Sequence, residues 1–345
     1  MDPVLGGGGA DGSVVTFFDV EGTFPQNEGL GTMAEFLQIL VDRHEINAGD
    51  ILHFAAAVSA ANCPGSPQIE FWMGRPPASG PSPPNLIPNP TDSVETILNR
   101  FAAINIGTVE VVALLAAHSI ARMYVTDRTV PGLPLDTTPE IFDSQFYIEV
   151  LLNGTTFAGN RSTPGEVEAA TPGIFRLESD LNFAHSPLTS CLWQQFALQP
   201  GQVQEIFGEG MFDLSLVGHT KSSLTDCNDV IPLPLLMTTF PHFPPGEGFS
   251  DLQLSCSTSS FPTLTTAPGP VPTFTPAGCE FPGVPSCWFI SLTTMSGTGG
   301  GNAVEATLSD GLVVALVTDT QTATAESLVS PASRTAAPIT KSTAV

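Results

Sequence analysis

The residues able to do chemistry in this 345-residue chain gather at three places. His118 ends the apolar run Val109-Glu-Val-Val-Ala-Leu-Leu-Ala-Ala117, so on a helix it points toward an interior or a cavity, and Ser119 adjoins it. A lone interior histidine is more often structural than a ligand. Here, however, Asp136-Thr-Thr138-Pro-Glu-Ile141-Phe-Asp143 follows closely and sets several oxygen donors at short spacing. Carboxylate, hydroxyl and carbonyl oxygens on a tight segment are how proteins hold hard cations such as Ca2+. The third group is the Gly9 carbonyl, the Asp11 carboxylate and Ser13, within five residues on a flexible backbone. A mobile glycine linker is the competing reading of that stretch. The same segment matches Gly7-x-Gly9-x-x-Gly12, a dinucleotide pattern, but it lacks a preceding strand and alternating βα units, and no lysine follows for a phosphate loop.

Helices must position these groups. Thr32-Met-Ala-Glu35 reads as a capping box ahead of Phe36, Leu37 and Leu40, and a second helix fits Asp50 to Ala61 before Asn62-Cys-Pro-Gly65 stops it. Seven prolines in residues 76–92 make an ordered connector. Helices resume at Asp92-Ser-Val-Glu95 with an apolar face of Val94, Ile97, Leu98 and Phe101. Thr108–Met123 follows with Val109, Val112, Leu115, Ala116 and Met123. Thr138-Pro139 is an N-cap and N1 pair for a helix running to Leu152, and shorter helices cover 189–199 and 201–217. The fold class is mainly α. Residues 292–345, rich in Ser, Thr, Ala and Gly, read as a low-complexity, disordered tail.

Composition narrows the function. The formal net charge is −24, with 34 acidic against 10 basic residues, and only Lys221 and Lys341 are lysines. Such a surface repels phosphate backbones and anionic lipid, so nucleic acid and membrane are excluded as partners. No apolar stretch is long enough to cross a membrane. Six cysteines and the sequons Asn153-Gly-Thr155 and Asn160-Arg-Ser162 favour a secreted protein, although the N-terminus has no signal-peptide pattern.

Six segments carry a resemblance. Residues 6–13, Ala61-Asn-Cys-Pro-Gly65, Gly74-Arg-Pro-Pro-Ala78, Leu114-Leu-Ala-Ala-His-Ser119, Asp136-Thr-Thr-Pro139 and Ile141-Phe-Asp-Ser-Gln-Phe146 resemble the secreted class II fungal haem peroxidases, which include lignin, manganese and versatile peroxidases. Arg176-Leu-Glu-Ser-Asp180 and Phe261-Pro-Thr-Leu-Thr-Thr266 extend the similarity, which covers residues 4–290 in the family's order. The resemblance implies two helical domains around a haem crevice. Residues 1–105 would be the remnant of the distal domain, 106–291 the proximal domain with its proline-rich extension, and 292–345 the tail. It also implies haem b, two Ca2+ ions, a monomer, and H2O2 with small phenolic or lignin-related reductants as partners. His118 would be the axial ligand of the iron and Asp180 its hydrogen-bonded carboxylate. Gly9, Asp11 and Ser13 would contribute to a distal calcium site. Ser119, Asp136, Thr138, Ile141 (through its carbonyl) and Asp143 would form a proximal one. Cys191 would pair with Cys256 and Cys279 with Cys287, leaving Cys63 and Cys227 unpaired.

Departures from the family pattern are equally specific. Class II enzymes carry Arg-x-x-Phe-His-Asp ahead of the glycine run, supplying the acid/base and the charge that assist O–O cleavage. No Phe-His-Asp occurs among these 345 residues. The expectation is an N-terminally truncated peroxidase with an incomplete distal calcium site and little turnover of its own. The aspartate that manganese-binding members place six residues after the histidine is Tyr124 here. The surface tryptophan five residues before it is Ala113, and the aromatic residue before the first calcium aspartate is Leu135. The resemblance therefore implies a generic rather than a manganese-dependent donor specificity. Tyr124 is a candidate redox residue, against the plainer reading of an amphipathic side chain at a helix end. A haem-binding protein without turnover, or a calcium-binding module without haem, are the alternatives.

Overall fold

Apolar residues at three- and four-residue spacing build the helices expected, with boundaries set by local hydrogen bonding. A computed structural model describes residues 3–159, 163–237, 239–258, 261–276 and three strands within 291–318. Its α-helices are α1 (Ser13–Thr16), α2 (Phe18–Glu21), α3 (Gly31–His44), α4 (Ala48–Ala61), α5 (Val94–Ala102), α6 (Thr108–Leu114), α7 (Gln145–Val150), α8 (Glu178–His185), α9 (Ser190–Phe196) and α10 (Pro200–Leu216). Three short antiparallel pairs join loops: β1 (Trp72–Met73) with β6 (Thr225–Asp226), β2 (Arg122–Met123) with β3 (Leu133–Pro134), and β4 (Glu166–Val167) with β5 (Arg176–Leu177).

Several expected boundaries are corrected. The Thr32 capping box is not used, because α3 begins at Gly31 with Leu30 in the cap position and no side-chain cap bond. Ser93, not Asp92, caps α5 by accepting the Thr96 N–H at 3.2 Å, while the Asp92 carboxylate accepts from Asn89 N. Thr138-Pro139 does not start a helix: α7 begins at Gln145, and the Thr138 hydroxyl is directed instead to the Asp136 and Asp143 carboxylates. The helix from Thr108 tightens into a 3₁₀ segment at Leu115–Ile120, and Met123 lies on β2. Val109, expected on the apolar face, is exposed.

Residues Met1–Pro285 form one compact unit and Ser286–Val345 a second. Inside the first, the main core runs across the expected boundary at residue 105, since Val94 and Ile97 share a cluster with Val111 and Val112. Its centre is aromatic: Phe142, Phe146, Tyr147, Phe175, Phe183, Trp193 and Phe196 are all at most 1% exposed. The Trp193 indole N–H donates to the Tyr147 carbonyl at 3.0 Å, so this large buried residue is also satisfied. A smaller core of Val15, Leu37, Ala48 and Ile51 belongs to α1, α3 and α4. Cys191 and Cys256 form a disulfide across 65 positions, Cys63 and Cys227 carry free thiols, and Cys279 and Cys287 lie outside the described residues. Asn153 is exposed, whereas Asn160 lies outside the described residues.

The Gly74-Arg75 motif locks α4 to α10. Fully buried Arg75 donates to Asp50 Oδ1 at 2.7 Å and to the Ser215 carbonyl at 2.9 Å, and Asp50 Oδ2 accepts Gly74 N at 2.7 Å. One turn along α4, His53 has no such compensation. Its Nε2 is buried without a hydrogen-bond partner, and burial, then the Arg75 charge, pull its pKa from 6.5 to about 3, with His219 adding to the effect and the Ala10 backbone opposing it. Between those values the unfolded chain binds more protons than the folded one, so stability must fall as pH drops below 6.5. His53→Phe is expected to flatten the acid limb of a Tm–pH profile; an acid limb identical to wild type would remove His53 as its source.

In the second unit, β7 (Ser291–Ser296), β8 (Asn302–Thr307) and β9 (Val313–Thr318) form an antiparallel meander with registers Ser291↔Thr307 and Asn302↔Thr318. These strands fall across the stretch from residue 292 that composition reads as a low-complexity tail. Thr293, Thr294, Val304, Val313, Val314 and Val317 are β-branched and favour extended backbone, a signal that the low-complexity composition masks. No described helix is long and apolar enough to cross a membrane.

Candidate functional site

His118 rides on the 3₁₀ segment that continues α6, and Asp180 on the first turn of α8. The two are 62 residues apart in sequence, yet His118 Nδ1 lies 3.0 Å from Asp180 Oδ2. The Phe146 ring of α7 meets the imidazole edge-on, with centroids 5.3 Å apart, and fixes its plane. Asp180 is fully buried, and its Oδ1 has no hydrogen-bond partner, so its interaction is concentrated on the histidine. Burial lowers the His118 pKa, but the Asp180 charge and hydrogen bond outweigh it and leave it above the ordinary value. With Nδ1–H held by a carboxylate, the Nε2 lone pair is the free one, and the side chain remains one-quarter exposed. That is the arrangement of a metal-ligating imidazole whose basicity is raised from behind.

Next to it stands the oxygen cluster. Ser119 Oγ donates to Asp136 Oδ2 at 2.5 Å, and lies 3.3 Å from both the Ile141 carbonyl and Asp143 Oδ1. Thr138 N donates to Asp136 Oδ1 at 2.9 Å, and Thr138 Oγ1 to Asp143 Oδ1 at 3.2 Å. All five expected donors therefore converge. Backbone packing places them: the Asn62–Gly65 turn accepts Phe142 N on the Pro64 carbonyl at 2.9 Å, between Ile141 and Asp143. Gly65 is required there, because its φ is +85° and a Cβ would sit 2.4 Å from the Phe142 carbonyl.

Asp136 and Asp143 are buried with no cationic side chain bonded to them. Burial, then Glu149 and Asp143, push the Asp136 pKa well up, and burial also raises Asp143. Desolvated carboxylates facing one another are unfavourable unless neutralised, so the site fits a divalent cation with oxygen preference. Among the described residues no group of three or more carboxylate, imidazole or thiol side chains that could hold a metal is present.

The third group also folds as a loop. Asp11 and Ser13 are buried, and Asp11 Oδ1 accepts Ser13 N at 3.1 Å. Gly9 has φ +88° and packs so closely that a Cβ would lie 2.2 Å from the Val217 carbonyl. The flexible linker reading gives way to a built turn. Its two side-chain donors and one carbonyl fit part of a cation shell. Of the positions weighed for electron entry, Ala113 and Leu135 are buried, and Tyr124 is half-buried just beyond β2.

Two further residues join the oxygen cluster without being anticipated. Thr239 Oγ1 donates to Asp143 Oδ2 at 3.1 Å from almost a hundred positions away, with no local signal to mark it. Glu149 Oε1 accepts from both Thr137 N, at 3.0 Å, and Thr137 Oγ1, at 2.5 Å. Its signal is a carboxylate inside the apolar run Phe146–Leu152.

A helical chain with a carboxylate-backed imidazole beside a buried cluster of oxygen donors fits the class of helical peroxidases. Residues 4–199 match the family model for peroxidases, and residues 202–279 match the fungal peroxidase extension region. The chain is 42% identical over 269 residues to versatile peroxidase VPS1 of Pleurotus eryngii, covering 77% of this chain and 73% of that protein. It is 45% identical over 261 residues to the low-redox potential peroxidase of Taiwanofungus camphoratus, covering 76% and 78%. Manganese peroxidase 3 of Phlebia radiata is 40% identical over 278 residues, covering 79% and 76%. The chain belongs to the peroxidase family, in its class II fungal group, and is an oxidoreductase acting on peroxide. Membership implies haem.

Proposed function

We propose that this protein is a haem peroxidase of small organic donors, in which His118 would hold the haem iron and Asp180 would orient that histidine. The observation that carries this reading is the 3.0 Å His118–Asp180 contact, which fixes the Nδ1–H tautomer and leaves Nε2 available. Haem, when bound, supplies the redox chemistry that reduces H2O2 and oxidises the donor. Asp180 makes the imidazole a stronger electron donor. Ser119, Asp136, Thr138, Asp143 and the Ile141 carbonyl hold a Ca2+ ion, and because Ser119 adjoins His118 that ion steadies the segment bearing the ligand. Gly9, Asp11 and Ser13 contribute to a second Ca2+ site.

The donors are phenolic or lignin-related and not Mn2+. Tyr124 stands where manganese-binding relatives are expected to have a carboxylate, and buried Ala113 and Leu135 leave no aromatic surface there. Tyr124 is the remaining candidate for electron entry. None of the six histidines is set in Phe-His-Asp, so a protein of these 345 residues alone binds haem but turns over slowly. Each missing acid/base or charge-stabilising group costs about 10²–10⁴-fold. Secretion and a monomeric state accompany this reading, supported by the acidic surface and the exposed sequon at Asn153.

Haem reconstitution followed by absorption spectroscopy and H2O2-dependent phenol oxidation tests it. The expected result is a Soret band, weak turnover, and no stimulation by Mn2+. Absence of a Soret band would overturn the haem reading, and turnover near that of ordinary peroxidases would overturn the predicted slowness. In a form supplied with a distal histidine and arginine, Tyr124→Phe should lower oxidation of bulky phenols; unchanged rates end the role of Tyr124.

A further inference from the structure

Glu149 belongs neither to the proposed calcium ligands nor to the His118–Asp180 pair, yet few carboxyls in the molecule are so fully engaged. It lies on α7 between Ile148 and Val150, which are 0% and 2% exposed, and is itself only 5% exposed. Burying a carboxyl there is costly unless its hydrogen bonds do something. Both donors of one residue, the Thr137 N–H and hydroxyl, end on Glu149 Oε1. Thr137 separates Asp136 from Thr138. With Thr137 held against α7, the side chains on either side reach the opposite way: Asp136 toward Ser119 at 2.5 Å and Thr138 toward Asp143 at 3.2 Å.

We propose that Glu149 is a positioning residue for the proximal calcium site, gripping Thr137 so that Asp136 and Thr138 are aimed at the ion before it binds. The proposal rests on the calcium reading given above. Its role is that of a hydrogen-bond acceptor, not of an additional charge for the ion. A side chain that keeps Oε1 but loses the charge should therefore preserve it. Partners that orient metal ligands typically contribute about 10–100-fold in metal affinity.

Calcium titration by calorimetry of the haem-reconstituted full chain, with Ca2+ alone as probe, separates the possibilities. In wild type, one binding event should disappear in Asp136→Ala. That event should weaken about 10–100-fold in Glu149→Leu and stay near wild type in Glu149→Gln. Thr137→Val, which keeps the N–H and loses the hydroxyl, should fall between them. Unchanged affinity in Glu149→Leu overturns the proposal, and so does a loss in Glu149→Gln as large as in Glu149→Leu. If Glu149→Leu does not fold, unchanged affinity in Thr137→Val overturns it instead. A wild-type protein with no event that Asp136→Ala removes sinks the calcium reading itself, a result distinct from failure at Glu149.

Discussion

His118→Ala is expected to remove stable haem binding, with the largest effect of any single substitution in the chain. The imidazole is the one side chain placed to ligate iron with a carboxylate behind it, and no neighbouring group shares the 3.0 Å contact with Asp180. Its removal leaves Asp180 fully buried with both oxygens unpaired, so the site loses a ligand and gains an uncompensated charge. A haem titration followed at the Soret band should show affinity lower by well over about tenfold. Asp180→Asn separates the two roles of the carboxylate. It preserves shape and one acceptor, so haem should stay bound, while loss of the negative charge should raise the iron reduction potential. A potential equal to wild type in Asp180→Asn would refute the electrostatic part of the argument. Retained Soret absorbance in His118→Ala would refute the ligand assignment.

Calcium removal is expected to have the second-largest effect. Two buried aspartates and their hydroxyl partners form the link between the His118 segment, the 136–143 turn and, through Thr239, the region that follows α10. Without a cation their mutual repulsion is relieved only by protonation or by opening. A ligand present at about a thousand times its Kd stabilises by about 4 kcal/mol, which for the unit Met1–Pro285 is about 7 °C in Tm. Chelation should therefore lower Tm by that order, and Asp136→Ala should show a lower Tm that added Ca2+ no longer raises at this site. A melt indifferent to chelator would remove the proximal cation from the account.

Much of this site is legible in the order of the residues alone. An imidazole at the end of an apolar helix, followed by a serine and then by spaced oxygen donors, states its own chemistry. Local periodicity also locates α4, α5, α9 and α10 within a few residues. Capping is less legible. Ser93 competes with Asp92 for a role that depends on which backbone N–H groups lie free once the helices have packed, and Thr138 is drawn away from such a role altogether. At Thr138 the outcome turns on two carboxylates that need its hydroxyl more than a helix terminus does. The strands after 291 are hidden by a composition in which Ser, Gly and Ala outweigh the β-branched residues that set the backbone.

The sequence by itself determined which atoms are available: one inward histidine with its serine, a row of carboxylate, hydroxyl and carbonyl oxygens, a glycine turn, and a charge that turns away phosphate and lipid. Only the tertiary structure decided who meets whom. Asp180 reaches His118 across 62 positions, Thr239 reaches Asp143 across 96, and Glu149 turns back onto Thr137 across 12. Hydrogen bonds act over about 3 Å, a tolerance far finer than chain spacing can specify. Helix packing around the Phe146–Tyr147–Trp193 core sets those distances, and with them whether a list of donors becomes a site.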